Sequence, residues 1–200
     1  MRKLITAAFL TLDGVMQAPG GPGEDDDGGF AHGGWIVPHV DEATGNFVDG
    51  WFQEPFDLLL GRRTYDIFAG YWPHQPADNP IAEKFNRVGK YVATSSRAPL
   101  AWANSVALND VPAEVKRLKQ SDGPTLVTQG STVLVQTLME HGLIDELRLI
   151  TFPLVLGSGK RLFGSGTMSA GLKQVEASVS STGAVMAIYR PDGPVKTGSF

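Results

Sequence analysis

Apolar residues follow three rhythms along this chain, and each predicts a different kind of element. Residues 4–10 (Leu-Ile-Thr-Ala-Ala-Phe-Leu) are almost continuously apolar, as expected of a strand covered on both faces in a mostly parallel sheet. They predict a first, central strand. Over residues 41–54, Phe47, Val48, Trp51 and Phe52 fall at i, i+1, i+4 and i+5, one face of a helix that Pro55 ends. Leu58, Leu59 and Leu60 predict a short buried strand running into Gly61-Arg62-Arg63-Thr64-Tyr65, where polar residues open another helix. Residues 91–93 and 105–108 predict two more strands, the second followed by a helix over residues 112–119 with Pro112 at its start. Residues 125–128 lead through Gln129-Gly130-Ser131 into a helix with Val133, Leu134, Leu138 and Met139 on its buried side and a stop at Gly142.

Beyond Gly142 the period becomes two. Residues 144–152, 172–180 and 184–190 predict strands, with Val175, Ala177 and Val179 alternating against Gln174, Glu176 and Ser178, and the last two strands joined across Ser181-Thr182-Gly183. Strand–helix units followed by a terminal hairpin predict an α/β fold, a mostly parallel sheet with an antiparallel C-terminal edge. One stretch breaks the pattern: residues 14–34 hold eight of the chain's 24 glycines, two prolines and the run Glu24-Asp25-Asp26-Asp27. That composition predicts a long loop. With no internal repeat or linker, residues 1–194 read as one domain and residues 195–200 as a frayed tail.

Composition narrows the function classes. A chain with 42% hydrophobic and 19% charged residues folds rather than staying disordered. Its 17 Lys+Arg against 21 Asp+Glu leave a net charge of −4, so no cation excess favours nucleic acid or an anionic membrane surface. No apolar run approaches the roughly 18 residues needed to span a bilayer, and a cytoplasmic location is expected. The absence of cysteine excludes disulfides, thiol nucleophiles and cysteine-ligated metals.

In open α/β sheets, ligands bind beyond the carboxyl ends of the strands, where loops and helix N-termini converge and free N–H groups favour anions. Three segments fit that position. Gly61-Arg62-Arg63-Thr64 offers close backbone approach, a hydroxyl and two forked guanidinium donors suited to phosphate, or else a solvated surface turn. Thr94-Ser95-Ser96-Arg97 suits a phosphate monoester such as that on the adenosine ribose of NADP, or simply makes a turn. Gln129-Gly130-Ser131-Thr132 opens a helix where unpaired N–H groups suit a pyrophosphate, with an ordinary cap at Ser131 as the alternative. Neither the G-x-G-x-x-G fingerprint nor a Walker lysine motif is present. The four histidines, 32, 39, 74 and 141, lack metal-ligand spacing, and no metal site is expected. For proton transfer the candidates are Asp13, Asp41, Glu42 and Asp49, although Asp41 and Glu42 equally serve the positive end of the helix they open. The acidic run at residues 24–27 reads as a solvated loop face.

Taken in order, several segments resemble the dihydrofolate reductase-like superfamily, and within it the reductase domain of the bifunctional riboflavin-biosynthesis protein. They are Thr11-Leu12-Asp13-Gly14, Leu60-Gly61-Arg62-Arg63-Thr64-Tyr65-Asp66, Lys90-Tyr91-Val92-Ala93-Thr94-Ser95, Gln129-Gly130-Ser131, Leu143-Ile144-Asp145-Glu146-Leu147 and Pro153-Leu154-Val155-Leu156-Gly157-Ser158-Gly159. The resemblance implies a three-layer fold with about eight strands, NADPH lying across the carboxyl edge, and hydride passing to a pterin- or aminopyrimidine-like ring. It implies that Gly61, Arg62, Arg63 and Thr64 hold cofactor phosphates, Ser95, Ser96 and Arg97 the adenosine end, and Gly130, Ser131 and Thr132 the pyrophosphate. Asp13 and Gly14 are then expected near the nicotinamide. Trp35, Trp51, Phe52 and Phe56 offer walls for a flat ring, with Trp35 and Phe52 the expected substrate contacts, although the last three of the four, at helical spacing, equally form core. The glycine-rich loop resembles a mobile lid. The superfamily's W-x-x-P-x followed at once by an acid is altered here, because Val40 follows Trp35-Ile36-Val37-Pro38-His39 and Asp41 comes one residue late. Asp41 is the expected proton donor on this resemblance, and a homodimer the expected assembly. The rival class is a nucleotide-binding or ligand-sensing protein that keeps the fold without turnover.

Overall fold

In a computed structural model of the chain, which describes residues 1–165 and 167–200, eight strands form a single sheet: β1 (Leu4–Thr11), β2 (Phe56–Gly61), β3 (Lys90–Ala93), β4 (Ser105–Leu108), β5 (Thr125–Gln129), β6 (Glu146–Phe152), β7 (Leu172–Val179) and β8 (Val185–Pro191). Their order is β4-β3-β2-β5-β1-β6-β8-β7. Strands β1 to β6 pair in parallel, whereas β8 runs antiparallel to β6 and to β7. The continuous apolarity of β1 follows from its position between β5 and β6. Ala7 packs into the core on one face, while Leu4, Ala8 and Leu10 enter the other.

Five helices make the outer layers: α1 (Glu42–Trp51), α2 (Arg62–Tyr71), α3 (Pro80–Arg87), α4 (Val111–Gln120) and α5 (Thr132–Glu140). Trp51, Tyr65 and Phe85 carry α1, α2 and α3 onto one face of the sheet, against Leu58, Leu60, Val92 and Val127. Val115 of α4 and Leu134, Val135 and Leu138 of α5 cover the opposite face, against Leu59, Leu126 and Leu147. The fold is therefore dihydrofolate reductase-like: three layers with the anticipated antiparallel hairpin at the C-terminal edge.

Several details depart from expectation. Val133 is 77% exposed and Val135 fully buried, because α5 begins at Thr132 and turns its Leu134–Val135–Leu138 face inward. Ile144 and Asp145 precede β6; the Asp145 carboxylate instead accepts the N–H of Leu4 and the ammonium of Lys119. The polar–apolar alternation of residues 174–179 produces no buried face, since β7 is the outermost strand and exposed throughout. Helix α3 was not anticipated. Its start is nevertheless written in Asn79-Pro80: the Asn79 side chain accepts the N–H groups of Ile81 and Ala82, and Pro80 occupies the first turn. The glycine-rich loop contains a bent single turn at Asp27–Gly29 and an isolated antiparallel bridge from Val15 to Arg161.

Candidate active site

A cavity of about 1060 Å³ opens at the carboxyl edge of β1, β2, β3, β4 and β5. The β2–α2 and β5–α5 turns form its floor and are locked together by two hydrogen bonds. The Gly61 N–H donates to Ser131 Oγ at 2.9 Å, and the Ser131 N–H donates to Thr64 Oγ1 at 3.0 Å. A Cβ on Gly130 would lie 3.1 Å from Thr64 Cγ2, so any other residue would push Thr64 aside, and at φ +63° glycine adopts the backbone without strain. Ser131 itself sits in the left-handed region at φ 60°. Its Oγ faces Gly61 rather than capping its own helix, so α5 has no side-chain cap.

The helix termini differ in a way that matters for anions. Helices α1, α3 and α4 are capped by the side chains of Asp41, Asn79 and Asp110. The two helices that start on the cavity floor, α2 and α5, have no side-chain cap. Their first-turn N–H groups are left free for a negatively charged ligand.

Around this floor stands a set of paired charges. Arg62 Nε donates to both Asp66 oxygens at 2.9 Å. Arg63 meets Asp25 at 2.6 Å, and the other Asp25 oxygen takes the Lys160 ammonium at 2.7 Å. Asp27 adds a second contact to Lys160 at 2.9 Å. Burial pushes the Asp25 carboxyl up, but hydrogen bonds from Lys160 and Arg63 outweigh it and hold it below the usual carboxylate range. Gln17 organises the loop from beneath: its Nε2 donates to the carbonyls of Asp25 and Asp27, while its Oε1 accepts the Lys160 N–H. Asp25 and Asp27 thus clasp Arg63 and Lys160, while Asp26 and Asp27 stay exposed as a solvated face.

The remaining wall is apolar. Phe9, Val48, Phe52, Phe68, Tyr71 and Trp72 line it, with Phe52 and Phe68 packed on Phe85 behind.

Of the residues singled out from sequence, the cavity gathers Gly61, Arg62, Arg63, Thr64, Ser95, Gly130, Ser131, Thr132 and Phe52. Others lie elsewhere. Asp13 is tied to the loop after β6, accepting the N–H groups of Leu156 and Gly157 and the Arg161 guanidinium. The Thr11 hydroxyl beside it, with those donors, holds its carboxyl far below the usual range. Gly14 makes the adjoining turn at φ 78°. Trp35 is a core residue outside the cavity lining, its indole N–H donating to the Gln17 carbonyl at 2.7 Å. Ser96 folds onto its own turn by accepting the Ala98 N–H, and neither it nor Arg97 lines the cavity. Asp41 caps α1 through the Thr44 N–H and takes the Ser181 hydroxyl, lining a separate surface depression. Those hydrogen bonds, Thr44 first, keep its carboxyl ionised far below the usual range. Geometry and protonation therefore both tell against Asp41 as the proton donor.

Sequence reasoning missed Gln17, Lys160 and the aromatic part of α2. Only Phe68 and Tyr71, three residues apart, offered a signal. Among the described residues, no cluster of three His, Asp or Glu side chains forms a metal site, and no helix is long and apolar enough to cross a membrane.

Comparison with known proteins agrees with this architecture. The chain is 29% identical over 198 residues to the uncharacterized protein YyaP of Bacillus subtilis, covering 96% of each. A putative riboflavin biosynthesis protein from Shewanella superposes with a TM-score of 0.65 at 20% identity, over 95% of this chain and 99% of that one. Dihydrofolate reductase from Enterococcus faecalis, in a complex with NADP(H), superposes with a TM-score of 0.58 at 15% identity, over 95% and 96%. The RibD C-terminal domain family matches residues 2–186, and with that match spanning almost the whole chain and the fold in agreement, this protein belongs to the RibD C-terminal domain family.

Proposed function

We propose that the chain is an NADPH-dependent reductase that delivers hydride to a flat nitrogen heterocycle of the pterin or aminopyrimidine kind. The observation that carries this reading is the meeting, in one cavity, of two uncapped helix N-termini, the Arg62, Arg63 and Lys160 cations, and an aromatic wall. A dinucleotide needs the first two; a planar acceptor needs the third. The glycine at position 130, where a Cβ would fill the floor, fits the close approach of a pyrophosphate.

When bound, the cofactor would supply the hydride. The chain's own residues would do the rest. Arg62 and Arg63 would neutralise phosphate charge, Thr64 and Thr132 would offer hydroxyl donors, and Ser95 would border the adenosine end. Ser131, engaged with Gly61, would shape the floor rather than bind. Arg63 is shared with Asp25, so an incoming phosphate competes with the clasp. The aromatic wall would orient the acceptor and exclude water, which accounts for much of the rate in a reaction whose chemistry belongs to the cofactor.

Calorimetric titration with NADPH and NADH, on wild type, Arg62→Ala and Arg63→Ala, tests the reading. Selective NADPH binding, weakened about tenfold or more in either variant, is the expected result, since one charge-assisted contact is worth about 1.5–3 kcal/mol. No binding of either nucleotide refutes it, and binding without oxidation by any acceptor favours the ligand-sensing alternative. A homodimer through the exposed C-terminal strands belongs to the same proposal; a 21.4 kDa species in sedimentation at micromolar concentration would reject it.

A further inference from the structure

With Asp41 and Asp13 outside the cavity, the proposed reduction lacks an acid. Three carboxylates line the cavity: Glu24, Asp25 and Asp66. Asp25 is held by Arg63 and Lys160, and Asp66 by both contacts from Arg62 Nε. Glu24 stands apart. Its Oε2 accepts the Gly20 N–H at 2.6 Å and the Gly21 N–H at 3.2 Å, and among the described residues no cation contacts it and Oε1 has no hydrogen-bond partner. Gly21, whose N–H holds Glu24, packs closely on a second part of the loop: a Cβ on Gly33 would come within 2.5 Å of the Gly21 carbonyl oxygen. One carboxyl oxygen is thus fixed by backbone and the other is unpaired among the described residues, on a side chain that lines the cavity.

We propose that Glu24 is the proton-holding residue of this cavity, delivering a proton from its unpaired oxygen to the ring nitrogen of the acceptor as hydride arrives on the neighbouring carbon. The inference rests on the reductase reading above. In the balanced step, a hydride from a dihydronicotinamide forms the new C–H bond, and the C=N π pair moves to nitrogen. That pair takes the proton from Glu24, leaving its carboxylate and the oxidised nicotinamide; solvent then returns a proton to Glu24. A reduced ring nitrogen is far too basic to remain an anion, so a positioned acid is worth about 10²–10⁴ in rate.

The electrostatics agree with the geometry. Burial pushes the Glu24 carboxyl above its ordinary value despite the two N–H donors, and the negative charge of Asp25 adds to the rise. The other titratable groups lining the cavity are Arg62, Arg63, Asp66, Tyr71 and Lys160. The four charged ones are already paired with one another or with Asp25, so none places an uncompensated cation on Glu24.

The test has two arms. In the first, ¹³C-carboxyl NMR follows the glutamate side chains through a pH titration of wild type and Glu24→Gln, with and without saturating NADPH. The resonance missing from the variant should titrate above the other glutamates. NADPH affinity should stay within threefold in the variant, because Glu24 is assigned no phosphate contact. In the second arm, dihydropterins and aminopyrimidines are screened as acceptors of hydride. Any acceptor that wild type reduces should lose about a hundredfold or more in kcat with Glu24→Gln, with the acid-to-neutral limb of the pH profile flattened and partly restored by Glu24→Asp. Titration at or below the ordinary glutamate value, undiminished turnover, or a tenfold loss of NADPH affinity in Glu24→Gln overturns the proposal. Failure of wild type to bind NADPH at all is different, since it removes the reductase reading on which the proposal stands.

Discussion

Lys90 offers a quantitative test of how burial governs this fold. It lies at the start of β3, at the amino edge of the sheet, and is 1% exposed. Its ammonium donates to the Asn86 carbonyl at 2.9 Å and the Ala103 carbonyl at 3.1 Å, and sits 4.4 Å from the centre of the Trp102 ring. Burial, offset in part by the charge of Asp57, pushes it down to about 8 from 10.5. Between those values the unfolded chain binds a proton that the folded chain has released, so stability rises with pH across that window and the contribution saturates above it. That displacement, at about 1.4 kcal/mol for each tenfold change in proton affinity, gives at most about 3.5 kcal/mol. Urea denaturation at a series of pH values from about 8 to 10, on wild type and Lys90→Met, isolates this contribution as a difference in slope. The methionine variant has lost two hydrogen bonds and is expected to be weaker throughout, but its curve should lack the rise that wild type shows. Parallel curves would refute the reasoning and return Lys90 to an ordinary, solvated titration.

Three further outcomes follow from the structure. Gly130→Ala forces a Cβ against Thr64 at φ +63°, costing about 1–2 kcal/mol from backbone strain alone; a fall in Tm of at least about 2 °C is expected, together with weaker NADPH binding. Asp57→Asn leaves the buried Arg2 guanidinium, whose partner side chain is only 14% exposed, without its counter-charge; chemical denaturation should register a loss of about 3–5 kcal/mol. Asp41→Asn should leave NADPH binding intact while changing acid stability. The folded Asp41 carboxyl titrates below its unfolded value, so its contribution is complete above that unfolded value and fades as pH falls below it. Urea denaturation at a series of acidic pH values should therefore show wild type losing stability more steeply than the asparagine variant, which starts lower at neutral pH and changes less. Loss of NADPH binding in that variant would restore Asp41 to the site.

The layers, the order of most elements and the cavity floor were legible because they rest on local signals: continuous apolarity at residues 4–10, Gly61 before a polar helix start, Gly130-Ser131 before another. What stayed hidden depends on distant partners. Asp25 looked solvated because Lys160, which neutralises it, is 135 residues away. Ser131 looked like a helix cap, yet its hydroxyl is taken by Gly61, 70 residues away. Asp41 was misplaced for the opposite reason: its local role as a helix cap is complete in itself, through Thr44, and leaves nothing for the cavity. Gln17 carries no signal in its neighbours at all; its importance comes from joining two loops that meet only in the folded protein.

The placing of β1 has a consequence for how the molecule comes into being. The first strand of the sheet to be synthesised pairs with Leu126 to Gln129 on one side and with residues from Glu146 to Phe152 on the other. Both of its neighbours are therefore more than 120 residues downstream. While the ribosome makes the intervening chain, this apolar segment has two open edges and no partner for either. Closing such long loops slows folding, and an unpaired apolar strand is a template for association with other chains. The segment that ends at the centre of the sheet is thus the one longest in need of protection, and a nascent chain stalled before Glu146 would present it to the cell still half paired.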